Sequence, residues 1–308
     1  MHKVAVVGAG QFGQNHCRVV RQSSRAELAA VVDIDPSRGD LSDYRELAGK
    51  VDAAIVATPT SVHAEIGCWL LEHGIDVLVE KPIAPDLASA DRLVAAAEHH
   101  GRILQTGHLE RFNPAVTALE SRLTLPLFFE IHRLSVFSPR SLDVDVILDL
   151  MIHDIDIVLN LTGAEPSEIR AAGVSILSPK IDIANVRLQF PNGCVANLTA
   201  SRVSTERVRK LRLFQPQQYI SLDYARQELL IFSVGDNRQV AFEPVPVTKS
   251  EPLQLQFDAF LDALETRKSP KTSGPAARQT LRVALSIVDK IKEHSEIVSK
   301  SLAAGWKP

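Results

Sequence analysis

Short apolar runs alternate with amphipathic stretches along the first third of the chain. The apolar runs predict buried strands at residues 4–7, 28–32, 53–57, 77–79 and 103–104. Between them, apolar positions recur at helical spacing, for example over 64–73 and 88–100. Strands that alternate with helices indicate βαβ units and a doubly wound parallel sheet.

The pattern changes after about residue 120 to strands separated by turns. Pro191-Asn192-Gly193-Cys194 marks a hairpin, because Asn-Gly favours the tight turns that join antiparallel strands. We predict a largely antiparallel sheet with helices on one side. Its strands are expected at 128–137, 168–177, 184–190, 195–201, 209–214, 219–222 and 228–233, and its helices at about 144–161, 253–266 and 275–297.

These patterns predict an α/β domain over 1–118 and an α+β domain over 119–308. In a variant of this division, the last helices pack back toward the first domain. The net charge of −3 gives no reason to expect nucleic-acid or membrane partners. No apolar stretch reaches the roughly 20 residues of a membrane span, and the N-terminus lacks signal-peptide regions. Cys17, Cys68 and Cys194 are few and widely spaced, which favours a reducing cytoplasm.

A glycine motif follows the first predicted strand. In Gly8-Ala9-Gly10-Gln11-Phe12-Gly13, the glycines allow a tight turn, approach of a pyrophosphate and close helix–strand packing. The following helix N-terminus favours phosphate binding. Asp33 ends the second strand 20 residues after Gly13, where a carboxylate binds the ribose hydroxyls of NAD. The motif therefore predicts a Rossmann dinucleotide site, the alternative being a glycine turn with an unrelated Asp.

Asp33 also bears on the choice of cofactor. A carboxylate repels the 2′-phosphate of NADP, so NAD is expected. Arg38 weakens this expectation, because a nearby arginine can accommodate that phosphate.

Polar residues follow the third, fourth and fifth strands. Ligands bind at the carboxyl ends of parallel strands, so these residues are candidate cofactor contacts. Lys81 is also placed to act on a substrate hydroxyl. The segments are Thr58-Pro59-Thr60 with His63, Glu80-Lys81-Pro82, and Gln105-Thr106-Gly107-His108.

A second candidate group lies in the helix predicted over 144–161. Asp149 and His153 are four residues apart and share a face of an α-helix, with Asp156 nearby. A neutral histidine can take the hydroxyl proton during alcohol oxidation, and a carboxylate can orient it. The alternatives are a solvated acidic face with a structural histidine, or a metal site. Because no cysteine or second histidine is close in sequence, we predict no metal.

Two further groups have open roles. His108, Arg111 and Asn113 either face the substrate or cap a helix and pair locally. Five cations between residues 202 and 212 are first expected to be a solvated face, with recognition of an anionic substrate as the alternative. They are Arg202, Arg207, Arg209, Lys210 and Arg212.

The motifs together resemble the glucose–fructose oxidoreductase / inositol dehydrogenase / MocA family over nearly the whole chain. The resemblance rests on the glycine motif, Thr58-Pro59-Thr60 with His63, Glu80-Lys81-Pro82, and Asp149 with His153. It implies NAD(P)-dependent oxidation or reduction of a sugar or polyol. It also implies a C-terminal substrate domain with an open-faced sheet that builds homodimers or homotetramers. By motif matching, Lys81, Asp149 and His153 take the catalytic positions and contact substrate.

One departure from the family suggests a branch. Many members carry Gly-Gly shortly before Asp-x-x-x-His, whereas this chain has Arg140-Ser-Leu-Asp-Val-Asp145. Together with the segment 107–114, this is similar to bacterial UDP-N-acetylglucosamine 3-dehydrogenases, which supply 3-keto nucleotide sugars for lipid A synthesis. A nucleotide-sugar dehydrogenase is therefore the first hypothesis. A free sugar or polyol dehydrogenase and a non-catalytic NAD-binding regulator are the alternatives.

Overall fold

Five apolar runs form one parallel sheet, as predicted, in the order β2-β1-β3-β4-β5. The structure is a computed structural model that describes residues 1–137, 144–235 and 238–303. Because helices cover parallel strands on both faces, the strands are mostly apolar and their apolar residues are buried. Their bounds are β1 His2–Val7, β2 Ala26–Val32, β3 Ala53–Val56, β4 Asp76–Val79 and β5 Leu104–Thr106.

Three helices connect these strands, which gives the doubly wound arrangement. They are α1 Gln11–Gln22, α2 His63–Glu72 and α3 Leu87–His99. Short 3₁₀ turns lie at Tyr44–Leu47, Thr60–Val62 and Leu109–Phe112. Helix α6, Pro252–Thr266, comes later in the chain and belongs to the same unit. Its Phe257, Phe260 and Leu261 are buried with Val4 and Ile55 in one apolar core.

The second sheet has eight strands in the order β13-β12-β11-β10-β6-β9-β8-β7. All neighbours are antiparallel except β6 and β9, which are parallel. Its buried face packs on helices through Phe129, Leu198 and Leu211. The strands are β6 Phe128–Val136, β7 Glu168–Val174, β8 Ile183–Gln189, β9 Val195–Ser204, β10 Val208–Gln215, β11 Gln218–Asp223, β12 Glu228–Val234 and β13 Val240–Val245.

The helices of this part of the chain depart from the prediction at two places, since α4 was not predicted and the first predicted helix is not uniform. The uniform α-helix expected over 144–161 is instead a π-helical turn, Ile147–Met151, followed by α5 Ile152–Thr162. The other two are α4 Pro114–Glu120 and α7 Gly274–Ala303. No helix in the described ranges is both long and apolar enough to cross a membrane.

The backbone divides into two compact units. The first comprises residues 1–112 and 250–281, and the second comprises 113–249 and 282–308. Helix α7 therefore begins in the first unit and continues in the second.

Candidate functional site

A cleft of about 770 Å³ opens beside the carboxyl ends of β1, β2 and β3. This is the edge of an open α/β sheet where ligands bind. Six of the residues predicted to hold the cofactor line it, namely Gly8, Gly10, Asp33, Arg38, Thr58 and Pro59. The other predicted cofactor residues lie outside this lining, namely Gln11, Phe12, Gly13, Thr60, His63, Glu80, Lys81, Gly107 and His108.

The three motif glycines meet three different steric demands. Gly8 has a φ of +94°, and a Cβ there would lie 2.7 Å from the carbonyl oxygen of Ala57. A Cβ on Gly13 would lie 1.8 Å from the carbonyl oxygen of Gly8, so the helix and loop approach too closely for a side chain. At Gly10 a Cβ would meet nothing within 4 Å, so the backbone there faces open space. These glycines form a cradle that suits a pyrophosphate.

The Asp33 carboxylate is tied to the glycine loop. Its Oδ2 accepts a hydrogen bond from the Ala9 amide at 2.7 Å, and its Oδ1 accepts one from the Asp35 amide at 2.9 Å. Each carboxylate oxygen has a second lone pair, so both remain able to accept from ribose hydroxyls. The two acceptor oxygens of Asp33 therefore suit the ribose hydroxyls of a dinucleotide.

Both arginines of the cleft lining are paired with carboxylates. Arg38 Nε lies 3.1 Å from Asp35 Oδ2. Hydrogen bonds from the Ser37 hydroxyl and amide hold the pKa of Asp35 below its usual value, so Asp35 stays ionised. Arg45 lies 3.3 Å from Asp43 and 3.5 Å from Glu65. The cleft therefore presents more negative than positive charge.

His63 is buried between two backbone carbonyls. Its Nδ1 lies 3.0 Å from the oxygen of Pro82 and its Nε2 lies 2.9 Å from the oxygen of Thr58. Burial lowers the pKa of His63 more strongly than the two carbonyls raise it, so the ring is neutral near pH 7. His63 therefore connects the two strand-end loops. Direct contact of its side chain with a cofactor stays a prediction.

Glu80 of the Glu80-Lys81-Pro82 segment is buried and hydrogen-bonded. Its Oε1 lies 2.8 Å from Nε2 of His16, on α1, and its Oε2 accepts from the Lys81 amide at 3.2 Å. A Cβ on Gly107 would lie 2.5 Å from Oε2, so only glycine fits there without moving the carboxylate. Lys81 is half-buried, and its peptide bond to Pro82 is cis. Sequence reasoning missed His16, because nothing in the pattern of α1 signals a partner 64 residues away.

In the second unit, Asp149 lies in the π-turn and His153 lies in the first turn of α5. Asp149 is half-buried, whereas His153 and Asp156 are buried. A π-turn is wider than an α-helical turn, and such turns occur often at functional sites. Asp149 and His153 thus lie on either side of the change from π-helical to α-helical backbone, and their shared face stays a prediction.

Asp154, next to His153, forms a buried ion pair that the sequence did not reveal. Arg133 on β6 donates from Nε and from a terminal nitrogen to its two oxygens, each at 2.8 Å. The guanidinium also lies 5.1 Å from the ring centre of Tyr224. Two parallel hydrogen bonds fix the orientation as well as the position of the carboxylate. The start of α5 is thereby attached to the sheet.

The segment that follows β5 is buried, with His108, Arg111 and Asn113 all nearly inaccessible. Asn113 caps α4, because its Oδ1 accepts from the Ala115 amide at 3.1 Å and its Nδ2 donates to the oxygen of Tyr224 at 3.0 Å. The structural alternative for Asn113, a helix cap, is thus what the structure shows. Roles of His108, Arg111 and Asn113 toward cofactor or substrate stay predictions.

Three of the five cations between residues 202 and 212 lie within 4.0 Å of a carboxylate. Arg202 is buried, with its Nε 3.8 Å from Asp182. Arg212 pairs with Glu130 at 2.8 Å, and Lys210 lies 4.0 Å from Asp223. These three cations thus lie close to carboxylates of the chain itself, and recognition of an anionic substrate stays a prediction. Residues 140–143, on which the branch assignment drew, lie outside the described residues.

Among those described, no group of three His, Cys, Asp or Glu side chains is arranged to hold a metal.

Comparison with known proteins gives two family matches. Residues 2–108 match the profile described as an oxidoreductase family with an NAD-binding Rossmann fold. Residues 123–217 match the GFO/IDH/MocA C-terminal domain.

Individual relatives extend this similarity to nearly the full length. The chain is 35% identical over 301 residues to a UDP-N-acetylglucosamine 3-dehydrogenase from Acidithiobacillus ferrooxidans, covering 92% of this chain and 96% of that protein. A solved structure of that enzyme superposes with a TM-score of 0.90 at 34% identity, covering 95% and 98% of the two chains. An inositol 2-dehydrogenase from an Arthrobacter species is 32% identical over 189 residues, covering 54% of this chain and 56% of that protein.

Proposed function

This chain belongs to the GFO/IDH/MocA family of NAD-binding oxidoreductases, and we propose that it is an NAD-dependent nucleotide-sugar 3-dehydrogenase. The substrate is of the UDP-N-acetylglucosamine type. The observation that carries this proposal is the similarity to a UDP-N-acetylglucosamine 3-dehydrogenase along almost the whole of both chains. The 32%-identical inositol dehydrogenase covers little more than half of the chain.

The charge of the cleft supports NAD over NADP. Asp33 would meet the ribose hydroxyls of NAD and repel the 2′-phosphate of NADP. Arg38, the arginine that could accept that phosphate, is engaged by Asp35 at 3.1 Å. Gly8, Gly10 and Gly13 would hold the pyrophosphate, and Thr58 and Pro59 line the same cleft.

The proposed chemistry uses His153, Asp149 and Lys81. When bound, the nicotinamide supplies the acceptor for hydride. His153 takes the proton of the substrate hydroxyl, and Asp149 orients the imidazole and stabilises its charged form. Lys81 donates a hydrogen bond to the same oxygen, or relays the proton. Glu80 is not needed as a base in this scheme, since its carboxylate is occupied by His16 and the Lys81 amide.

The test of substrate class follows NADH absorbance in the presence of NAD. UDP-N-acetylglucosamine is compared with free N-acetylglucosamine and with myo-inositol. Turnover with the UDP-sugar alone is expected. Turnover with only the free compounds would replace the proposal by the polyol or free-sugar dehydrogenase. If NADH binds but no compound turns over, the NAD-binding regulator becomes the better description.

The test of the residue roles uses two variants with matched controls. We expect His153→Asn to lower kcat by about 10²- to 10⁴-fold through loss of the base. Lys81→Met should lower it by about 10²- to 10³-fold through loss of a donor to the reacting oxygen. His99→Asn and Lys50→Met change exposed side chains of the same types and should leave kcat unchanged. Unchanged activity in either catalytic variant would remove that residue from the mechanism.

The open face of the eight-stranded sheet supports self-association. A row of aromatic rings crosses β6, β10, β11, β12 and β13, with neighbouring ring centres 5.0–5.8 Å apart. Exposed aromatic surface of this extent favours an interface. We therefore include a homodimer or homotetramer through this face in the proposal. Phe232→Lys should shift the mass in light scattering toward the monomer. The rings are Phe128, Phe214, Tyr219, Phe232 and Phe242.

The proposed location is the cytoplasm. Cys17, Cys68 and Cys194 are all free thiols, and burial raises the pKa of Cys194 to about 11, so that thiol stays protonated. Free, unreactive cysteines are typical of proteins in a reducing compartment.

A further inference from the structure

A buried hydrogen bond joins the dinucleotide-binding helix to the strand end that carries Lys81. His16 and Glu80 are 1% and 7% exposed, and His16 Nε2 lies 2.8 Å from Glu80 Oε1. A carboxylate removed from water requires a donor or a cation. His16 supplies that donor from α1, inside the same unit.

Both partners have a second contact that leads toward a functional element. The His16 ring meets the ring of Phe12 edge-on, with centres 5.4 Å apart, and Phe12 belongs to the glycine motif. The Glu80 carboxylate accepts from the Lys81 amide and packs against the backbone of Gly107. The contacts therefore run without a break from the glycine motif, through His16 and Glu80, to the ends of β4 and β5.

Stability alone does not account for the His16–Glu80 pair. A buried ion pair or charged hydrogen bond contributes little net stability compared with an apolar pair of the same volume. What it supplies is direction, because a carboxylate oxygen and an imidazole nitrogen at 2.8 Å fix each other's orientation. Without the donor, Glu80 would turn toward water and move the Lys81 amide with it.

We propose that His16 is a positioning residue, which holds Glu80 so that Lys81 and the glycine motif respond together when the cofactor binds. This inference rests on the proposed function, which places NAD against the glycine motif and Lys81 at the substrate hydroxyl. It adds a residue that neither motif contains, and it couples cofactor binding to the position of Lys81.

The kinetic test separates positioning from packing. His16→Leu should lower kcat for UDP-N-acetylglucosamine oxidation by about 10- to 100-fold, since small misplacements of a reacting group carry such costs. The KM for NAD should stay within about threefold, because the pyrophosphate cradle is intact. His16→Gln places an amide nitrogen near the same carboxylate oxygen and should restore most of the activity. His99→Leu, an exposed histidine of α3, is the matched control and should behave as the parent protein.

The second test needs no turnover. Hydrogen–deuterium exchange is followed in peptides that cover residues 8–14 and 78–84, with and without NADH. In the parent protein NADH should slow exchange in both peptides, whereas in His16→Leu it should slow exchange in 8–14 only. If His16→Leu does not fold, His16→Asn, whose shorter amide does not reach Glu80, takes its place in both tests.

The outcomes are distinguishable. Equal protection of 78–84 in the parent and in His16→Leu would overturn the inference and leave the proposed function standing. Equal loss of kcat in His16→Leu and His16→Gln would also overturn it, because a mere packing role predicts no rescue. If NADH protects neither peptide in the parent protein, the cofactor assignment fails and the inference fails with it.

Discussion

Glu80 and Asp154 are two buried carboxylates that adjoin two of the proposed catalytic side chains, Lys81 and His153, and they are held by different means. Glu80, beside Lys81, meets one nitrogen of a histidine. Asp154, beside His153, receives two parallel hydrogen bonds from Arg133. An imidazole can offer a carboxylate one nitrogen, whereas a guanidinium can offer two in parallel.

The same contrast extends to the surroundings of the two carboxylates. In the first unit, position depends on close backbone approach, since Gly13 packs on Gly8 and Gly107 packs on Glu80. In the second unit, position depends on a charge pair under the first turn of α5. The comparison teaches that the strand end is held by close packing and a histidine contact, whereas the start of α5 is held by a charge pair. The predictions below test each side of this contrast.

The largest expected effect is on the charge pair. Arg133→Met leaves the Asp154 carboxylate buried without its guanidinium, which should lower the free energy of unfolding by about 3–5 kcal/mol. The double variant Arg133→Met/Asp154→Leu should recover most of that loss, because no lone charge remains. Urea unfolding midpoints measure both. The control Arg212→Met removes an exposed partner of Glu130 and should cost about 0–1 kcal/mol. Similar losses for the buried and exposed arginines would refute the contrast.

A third carboxylate, Asp182, is held by hydrogen bonds from the loop 176–178. Burial raises the pKa of Asp182, but bonds from Ser178 and from the amides of Ile176 and Leu177 outweigh it and hold the pKa at about 2. Because this pKa lies below the ordinary 3.8, the stabilisation is present above pH 3.8 and is lost as pH falls toward 2. Asp182→Asn should therefore be less stable by about 2 kcal/mol at pH 7.

The pH dependence of that difference is the decisive part. The stability gap between the parent protein and Asp182→Asn should narrow as pH falls through 3.8 toward about 2. Chemical unfolding at each pH measures it, and a gap that stays constant would show that ionisation of Asp182 is not its source.

A moderate effect is expected where backbone contact positions Glu80. The added methyl of Gly107→Ala would lie 2.5 Å from Glu80 Oε2 and must displace the carboxylate from His16. We expect kcat to fall about tenfold as Lys81 shifts. Gly101→Ala is unsuitable as a control because its φ is positive. The control is Ala88→Gly, at an exposed position of α3. It tests whether a small change in stability alone alters kcat. A fully active Gly107→Ala would show that Glu80 tolerates movement.

The smallest effect on stability, with a clear effect on binding, is expected at Gly10. A Cβ there meets nothing within 4 Å and the φ of −64° suits alanine, so Gly10→Ala should fold normally. The methyl would occupy the space that a pyrophosphate needs, and the Kd for NADH should rise about fivefold or more, which is about 1 kcal/mol. NADH fluorescence titration measures it. Unaltered NADH affinity would place the pyrophosphate away from this loop.

Much of the first unit could be predicted from sequence. Apolar runs bounded by turn residues located all five strands, and the glycine spacing with Asp33 located the cleft. These features depend on local sequence, so one chain suffices to find them. The pairing of His16 with Glu80 could not be found that way, because the partners are 64 residues apart and neither position is unusual for its helix or strand end.

Fewer elements of the second unit could be predicted from the sequence. The turn signals gave most strands, but β13 was missed because its residues are mostly exposed and show no alternation of buried and open positions. Helix α4 has only seven residues and gives no clear periodicity. The Arg133–Asp154 pair is a tertiary contact between β6 and α5. Periodicity along one segment does not contain that information.

The two outer strands of the eight-stranded sheet determine how chains can meet. An outer strand with free amides is a template for another strand, and sheets left open in this way grow into fibres. β13 carries Pro244, which has no N–H to offer, and the charged Glu243, while β7 carries Glu168 and Arg170. Growth along the hydrogen-bonding direction is thus discouraged at both ends. The self-association that we propose would therefore use the aromatic face, where it can close into a dimer or tetramer instead of repeating without limit.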